Sequence, residues 1–414
     1  FPALYPALAF AMLLLAHTVL VSGQTGDWIV NGSEAVSGVT EVWHRNITVS
    51  ATGQLTIANS ALVFNSSSSV RYGITVEKGG KISMTDSRLA SVNSSEGFWF
   101  LAEGSLEIRD CRIEDVFAGT AGEDWIGGFR ITSDNPVIEN TVFAGSLGYF
   151  VRFEGCSNVL FSGNTVTRAS TALLLNRSTG VVKNSLFSNN SDRHIVIQAC
   201  DGLEIVGNKL NDTGAGAFII SASRDIRSSG NQYEGGLYGV YARDAIVRME
   251  RDNVTEAVVH VGAEEGSKLT LIDCLCDREV VSAKGGSQVI LRRTIRVRAV
   301  VGSKPVSGAI VTVVDSKKNQ LVETTTDEDG RAEFEITELL VTESGPAEGS
   351  PFKFKAVKGI RSVSKTFATL GTEELELKMA LPWAFIVGAA LFIVLAAFVV
   401  ASPPKARKSK KKPR

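Results

Sequence analysis

A short apolar phrase that turns on an Asn or Asp returns along most of this chain. It reads "LTIANSAL", "ISMTDSRL", "LEIRDCRI", "PVIENTVF", "VLFSGNTV", "VVKNSLF", "LEIVGNKL", "IRSSGNQY", "VRMERDNV" and "LTLIDCLC". Aligning the polar residue gives Asn59, Asp86, Asp110, Asn140, Asn164, Asn184, Asn208, Asn231, Asn253 and Asp273, at gaps of 20 to 30 residues. A period of this length marks a solenoid. Helical repeats are excluded, because the units alternate with period two and are rich in Val, Ile, Phe, Thr and Ser. Gly, Asn, Asp and Ser punctuate them. Coils made only of short strands and turns bury their apolar faces by stacking on one another, which predicts a parallel β-helix over residues 27–293.

Asn and Asp tolerate the left-handed backbone that a sharp corner needs. Stacked amides also hydrogen-bond along a column of in-register strands. The same register stacks Cys156, Ser178, Cys200 and Ser223 at intervals of 22, 22 and 23 residues. Thiols replacing stacked hydroxyls are expected to be buried and free. The chain has five cysteines, an odd number that also includes Cys111, Cys274 and Cys276.

After "RRT" the texture changes to longer strands with more charge. Strands are predicted at 295–301, 309–314, 321–325, 332–336, 352–357, 363–369 and 374–378, a small antiparallel sandwich filling 294–379. "DEDG" fits a hairpin turn, since it lacks the length and third acidic position of a calcium-binding EF-hand loop. Residues 381–401 are an uninterrupted apolar run long enough to cross a bilayer as one α-helix. Seven of the 43 Lys and Arg lie in the last ten residues, "KARKSKKKPR". That asymmetry places the tail, 402–414, in the cytoplasm and the rest outside. Without those ten residues 36 basic face 44 acidic residues, about −8 at neutral pH, which argues against nucleic acid as a partner. The apolar residues 7–21 followed by "SGQTGD" read as a signal peptide ending near residue 23, so 1–23 is the expected leader. Sequons at Asn31, Asn46, Asn65, Asn93, Asn176, Asn189, Asn211 and Asn253 are candidate glycosylation sites of an exported glycoprotein.

Through "GNTV", "KNSLF" and "GNKL" the repeats resemble right-handed β-helix proteins of the pectate-lyase-like superfamily. The opening "DWIVNGSEAVSGVTEVWHRNITVSATGQLTIANSAL" resembles archaeal cell-surface β-helix proteins. "KPVSGAIVTVVD" and "TTDEDGRAEFEI" resemble the carboxypeptidase-regulatory-like family of Ig-like modules. The first resemblance implies the fold and leaves activity open, because similar folds carry polysaccharide lyases, hydrolases and epimerases.

An active site therefore has to be sought residue by residue. The motifs "DD", "NTD", "HG" and "RIK" are absent, and His44, His194 and His260 lack metal-ligand spacing. No paired carboxylates stand out, so no catalytic, metal or cofactor residue is assigned. The nearest constellation is Asp201, Arg224, Asp225, Arg243 and Asp244, beside Tyr238 and Tyr241. Alternating Arg and Asp on a solenoid reads first as a neutralising ladder; the tyrosines could face a sugar or pack a corner. The favoured function is a membrane-anchored structural or binding protein of the cell surface, an envelope component or adhesin with polysaccharide or envelope proteins as partners. The alternative is a tethered polysaccharide lyase, hydrolase or epimerase, and only that reading calls for calcium.

Overall fold

The computed structural model describes residues 26–117, 128–146, 148–368, 370, 374–380, 387 and 389–394. The expected leader (1–23), most of the expected span (381–401) and the tail (402–414) lie outside the described residues. Among the described residues no helix is long and apolar enough to cross a membrane. Residues 387 and 389–394, inside the expected span, are helical. Val387, Leu391, Phe392, Ile393 and Val394 there are between 53% and 75% exposed.

The chain divides into two compact units, residues 1–292 with 339–347, and residues 293–338 with 348–414. In the first, ten successive coils each contribute one strand to each of three parallel sheets, and the last coils add strands to the first two sheets alone. Sheet I has 12 strands, from Trp28–Val30 to Val281–Ala283. Sheet II begins at Ser33–Ser37 and passes through Lys268–Ile272 to the long strand Gln288–Val301. Sheet III has ten strands, from Thr40–Trp43 to Asn253–Thr255.

Period-two alternation produces this because it sends every second side chain inward. In sheet I, Leu173 pairs Ile195, Ile195 pairs Phe218, Phe218 pairs Val240 and Val240 pairs Val261. All five are fully buried. Burial of each such side chain contributes about 1.5–3 kcal/mol, which offsets strands too short to persist alone. Aromatic rings continue the stack, with Phe100 and Phe129 centroids 4.0 Å apart and Phe218 and Tyr233 5.3 Å apart.

The second unit carries a four-stranded antiparallel sheet ordered Gln320–Thr325, Ile310–Val314, Phe352–Lys358, Arg361–Phe367. Its core holds Ile295, Val297, Val311, Val313, Phe352, Phe354 and Leu377. The expected block 294–379 is interrupted. The strand Arg331–Thr342 outruns its predicted end, and a strand at Gly345–Glu348 was not anticipated. Residues 339–347 belong to the first unit because Leu339 and Val341 are buried in the solenoid's core cluster.

Candidate functional site

The corner between sheets II and III uses two adjacent positions where the sequence suggests one. The outer position is left-handed, with φ between 47° and 67° at Asn59, Asp86, Asp110, Asn140, Gly163, Asn184, Gly207, Gly230, Arg251 and Asp273. The next residue points inward: Ser60, Ser87, Cys111, Thr141, Asn164, Ser185, Asn208, Asn231, Asp252 and Cys274. Asn164, Asn208 and Asn231 are therefore inner residues, one place beyond the glycines that make the turn. Asn253 leaves the column altogether and opens a strand of sheet III, paired with Gln232. Gly before Asn takes over the left-handed position, and this frees the amide for burial.

Inner side chains accept the backbone N–H of the preceding coil. Thr141 N–H donates to Asn164 Oδ1 at 2.8 Å, Asn164 N–H to Ser185 Oγ at 3.1 Å and Ser185 N–H to Asn208 Oδ1 at 3.0 Å. Asn208 N–H then donates to Asn231 Oδ1 at 2.8 Å, and Asn231 N–H to Asp252 Oδ1 at 2.6 Å. The corner between sheets I and II repeats the device. Cys156 N–H donates to Ser178 Oγ (3.1 Å), Ser178 N–H to Cys200 Sγ (3.4 Å) and Cys200 N–H to Ser223 Oγ (3.1 Å). Cys111, Cys156, Cys200 and Cys274 are free thiols. Burial pushes Cys111 up to about 11 and Cys156 and Cys274 up to about 12, so they remain protonated hydrogen-bonding groups.

Besides the thiols, an aspartate and a histidine lie buried inside the solenoid. Asp252 is 1% exposed, and burial raises its carboxyl to about 6 against bonds from Ser228 and Asn231 that favour the anion. Ser228 Oγ in turn meets the Tyr233 hydroxyl at 2.7 Å. His194 is fully buried, with Nδ1 2.9 Å from Asn190 Nδ2. Burial lowers its imidazole to about 4.

The outer face of sheet I differs from the others. In register along it run Arg152, Leu174, Val196, Ile219, Tyr241 and Gly262. Beside them runs a polar row of Glu154, Asn176, Gln198, Ser221, Arg243 and Glu264. Tyr149 and Tyr238 occupy a third row four coils apart, a distance of roughly 20 Å at the usual strand spacing. Tyr238 and Tyr241 have ring centroids 4.8 Å apart, tilted by 48°. Their rings lie over Gly262, where an added Cβ would sit 3.2 Å from Tyr241 and 3.4 Å from Tyr238. The Tyr241 hydroxyl donates to Glu264 Oε2 at 2.7 Å. Burial first, and this carboxylate second, push the phenol up to about 12. Leu237 and Val258, 46% and 66% exposed, adjoin Tyr238 and Val259.

The seven residues singled out from sequence separate into pairs. Arg224 Nη2 lies 2.6 Å from Asp244 Oδ1, Arg227 Nε lies 3.2 Å from Asp225 Oδ1, and Arg243 pairs with Glu265. Asp201 meets Arg224 through a backbone bridge. These pairs are exposed and screened by solvent, and they serve chiefly to neutralise the corner. Only Tyr238, Tyr241 and Arg243 share a strand and a face. A groove of about 430 Å³ on sheet II is lined by Glu204, Asp225, Arg227, Arg248 and Glu250, again as mixed charges. Among the described residues no group of three or more His, Cys, Asp or Glu is arranged to hold a metal ion. Sequence reasoning missed the burial of Asp252 and of His194, which lie on different coils, and the row Leu174–Val196–Ile219. The apolar doublets in "ALLLN" and "HIVIQ" were the available signal for that row.

Of the sequons, Asn31, Asn65, Asn93 and Asn189 are exposed and the other four are half-buried. The side-chain oxygens of Asn211 and Asn253 are buried, as is Ser178, the hydroxyl residue of the Asn176 sequon.

No curated protein matches the chain. Among solved structures it is similar to the periplasmic alginate epimerase AlgG, at 13% identity and TM-score 0.40 over 65% of this chain and 74% of that one. It is also similar to the AlgE4 mannuronan C-5 epimerase A-module of Azotobacter vinelandii, at 10% identity and TM-score 0.31 over 64% and 89%. A mutant tailspike protein of E. coli bacteriophage HK620 aligns at 11% identity and TM-score 0.32 over 87% of both chains. Likeness of this degree assigns no activity. Residues 125–245 match the family model described as a right handed beta helix region, and with the register above, the first unit is a right-handed parallel β-helix.

Proposed function

We propose that this is a cell-surface binding protein, anchored by residues 381–401, that holds the outer face of sheet I toward a polysaccharide, with the antiparallel module as an Ig-like stalk. The observation that carries the reading is the half-buried Tyr238–Tyr241 ring pair, with Ile219 beside it, next to the polar row Asn176, Gln198, Ser221 and Arg243. Sugar rings offer apolar C–H faces to aromatic and aliphatic side chains and hydroxyls to amides and charges. A face that repeats every coil suits a chain ligand that also repeats. Sites of this kind join apolar walls to a few placed polar groups. The anchor rests on the apolar run, the basic tail and the exposed apolar helical residues between 387 and 394.

The test is retention of the full chain on a panel of neutral and anionic polysaccharides, with and without calcium. One class should be retained, and Tyr238→Ala with Tyr241→Ala should weaken retention at least tenfold, about 1.4 kcal/mol. The enzyme alternative draws on one observation, the Tyr241–Glu264 bond beside Arg243. It requires new reducing ends, unsaturated ends or inverted sugar configuration in the same incubations, abolished by Glu264→Gln.

A further inference from the structure

The antiparallel module ends where its most unusual hairpin sits. Strands Phe352–Lys358 and Arg361–Phe367 pair through Lys358 and Arg361, leaving a two-residue turn of Gly359 and Ile360. Gly359 supplies the positive φ, 57°, that such a tight hairpin requires. The second turn position, where polar residues are usual, is taken by Ile360, which is 53% exposed. Lys358 and Arg361 flank it and are exposed as well. An apolar tip between two cations fits the boundary between lipid headgroups and acyl chains. The apolar residue enters while the cations meet phosphate.

A second observation puts that tip beside the point where the apolar run begins. Ser362, next to Arg361, forms an antiparallel bridge with Ala380. Ser362 N–H donates to the Ala380 carbonyl at 3.1 Å, and Ala380 N–H donates to the Ser362 carbonyl at 3.4 Å. Ala380 immediately precedes the apolar run 381–401. The chain thus leaves the module beside the hairpin. At the other end of the same sheet the turn after Val314 carries Asp315, Lys317 and Asn319, with Asp315 Oδ1 accepting from Lys317 N–H at 2.8 Å. Val314 pairs Lys353, whereas Ile310 pairs Val357 near the tip. The hairpin tip is apolar and basic, whereas the turn after Val314 is polar; the loop that follows Thr325, the partner of Ile310, adds Asp327, Glu328 and Asp329 at the tip's end of the sheet.

We propose that the Lys358–Arg361 hairpin is a membrane-contact loop that seats Ile360 in the headgroup region of an anionic bilayer and fixes how the stalk stands on the membrane. This rests on the anchoring proposed above. The test uses the full chain in lipid nanodiscs containing phosphatidylglycerol, in a Cys274→Ser, Cys276→Ser background. An environment-sensitive dye is attached at Ile360→Cys or, as control, at Lys317→Cys, and lipids with a nitroxide near the headgroup serve as quenchers. Quenching several-fold stronger at 360 than at 317, reduced by Lys358→Glu with Arg361→Glu, is the expected result. A chain that co-purifies with the discs but shows equal, weak quenching at both positions overturns the contact and leaves the anchor standing. A chain that does not insert into the discs overturns the anchor, and the contact with it.

Discussion

Asn231 gives both its backbone N–H and its side-chain Nδ2 to a single oxygen of Asp252, at 2.6 and 3.0 Å. Asp252 thus occupies a step of the corner ladder that Asn208 and Asn231 fill on the coils before it. A carboxylate fulfils the accepting role of an amide, but it brings a charge into a fully packed interior.

Replacing Asp252 by Asn is therefore expected to stabilise the protein at neutral pH. Burial raises the folded carboxyl to about 6, above the ordinary aspartate value of about 3.9. Stability associated with this group is complete below the lower value and is lost as pH rises through the upper one. Asp252→Asn should gain up to about 3 kcal/mol over the wild type at pH 7, vanishing near pH 4. The new amide keeps its oxygen on Asn231 and can donate to Ser228 Oγ. Chemical denaturation at several pH values checks this, and a constant difference between the two proteins would refute it.

His194 should tilt stability the other way. Its imidazole is lowered to about 4 from 6.5 by burial, so its contribution is present above the upper value and lost as pH falls toward the lower one. Relative to wild type, His194→Gln should gain stability progressively between pH 6.5 and 4, the mirror image of Asp252→Asn. Melting temperatures across that window for both variants check the opposed signs.

Adjacent corner positions should respond to opposite substitutions. Gly230 has a φ of 64° and open space where a Cβ would stand. Gly230→Asn should be nearly neutral, whereas Gly230→Val should cost about 1–3 kcal/mol through backbone strain. Asn208→Ala leaves the Ser185 N–H without its acceptor, at about 1–3 kcal/mol for the orphaned donor. Thermal unfolding of the three variants checks this; a Gly230→Asn variant as destabilised as Asn208→Ala would show that the two positions are not distinct.

How far the sequence could be read follows from the same corner. The phrase "LEIVGNKL" shows a strand, a turn and a strand, because period-two alternation and turn residues act locally. It does not show that Gly207 and Asn208 divide the work that Asn184 and Ser185 divide one coil earlier. The repeat is legible in composition, but which of two neighbours turns inward depends on where the left-handed residue falls. The face of sheet I was obscure for a related reason. Leu174 and Val196 look like interior residues in sequence, and only the register turns them to the outward side of sheet I, where their neighbours still leave them just 6% and 8% exposed. Tyr238, Tyr241 and Arg243 could be picked out because they lie within one strand.

The thiols should be unreactive in the native protein and reactive once it unfolds. Cys111 Sγ sits 3.1 Å from the Arg109 carbonyl, and Cys156 Sγ 3.2 Å from the Ile131 carbonyl, both buried and held protonated. Titration with a thiol reagent under non-reducing conditions should release at least Cys111, Cys156, Cys200 and Cys274 on denaturation. Intramolecular bridges among these four, found by mass spectrometry, would contradict the register.

Glycans should follow side-chain exposure. Peptide mapping is expected to find occupancy among Asn31, Asn65, Asn93 and Asn189, and none at Asn211 or Asn253, whose oxygens are buried. Full occupancy at Asn211 would require the strand Lys209–Thr213 to open there.

The proposed binding face is tested most directly by hydroxyl-radical footprinting of the full chain with and without a retained polysaccharide. Tyr238, Tyr241 and Leu237 should be protected, while Arg227 and Arg248 on sheet II keep their reactivity. Protection of sheet II with Tyr238 and Tyr241 unchanged would contradict the assignment of sheet I as the face that meets the ligand.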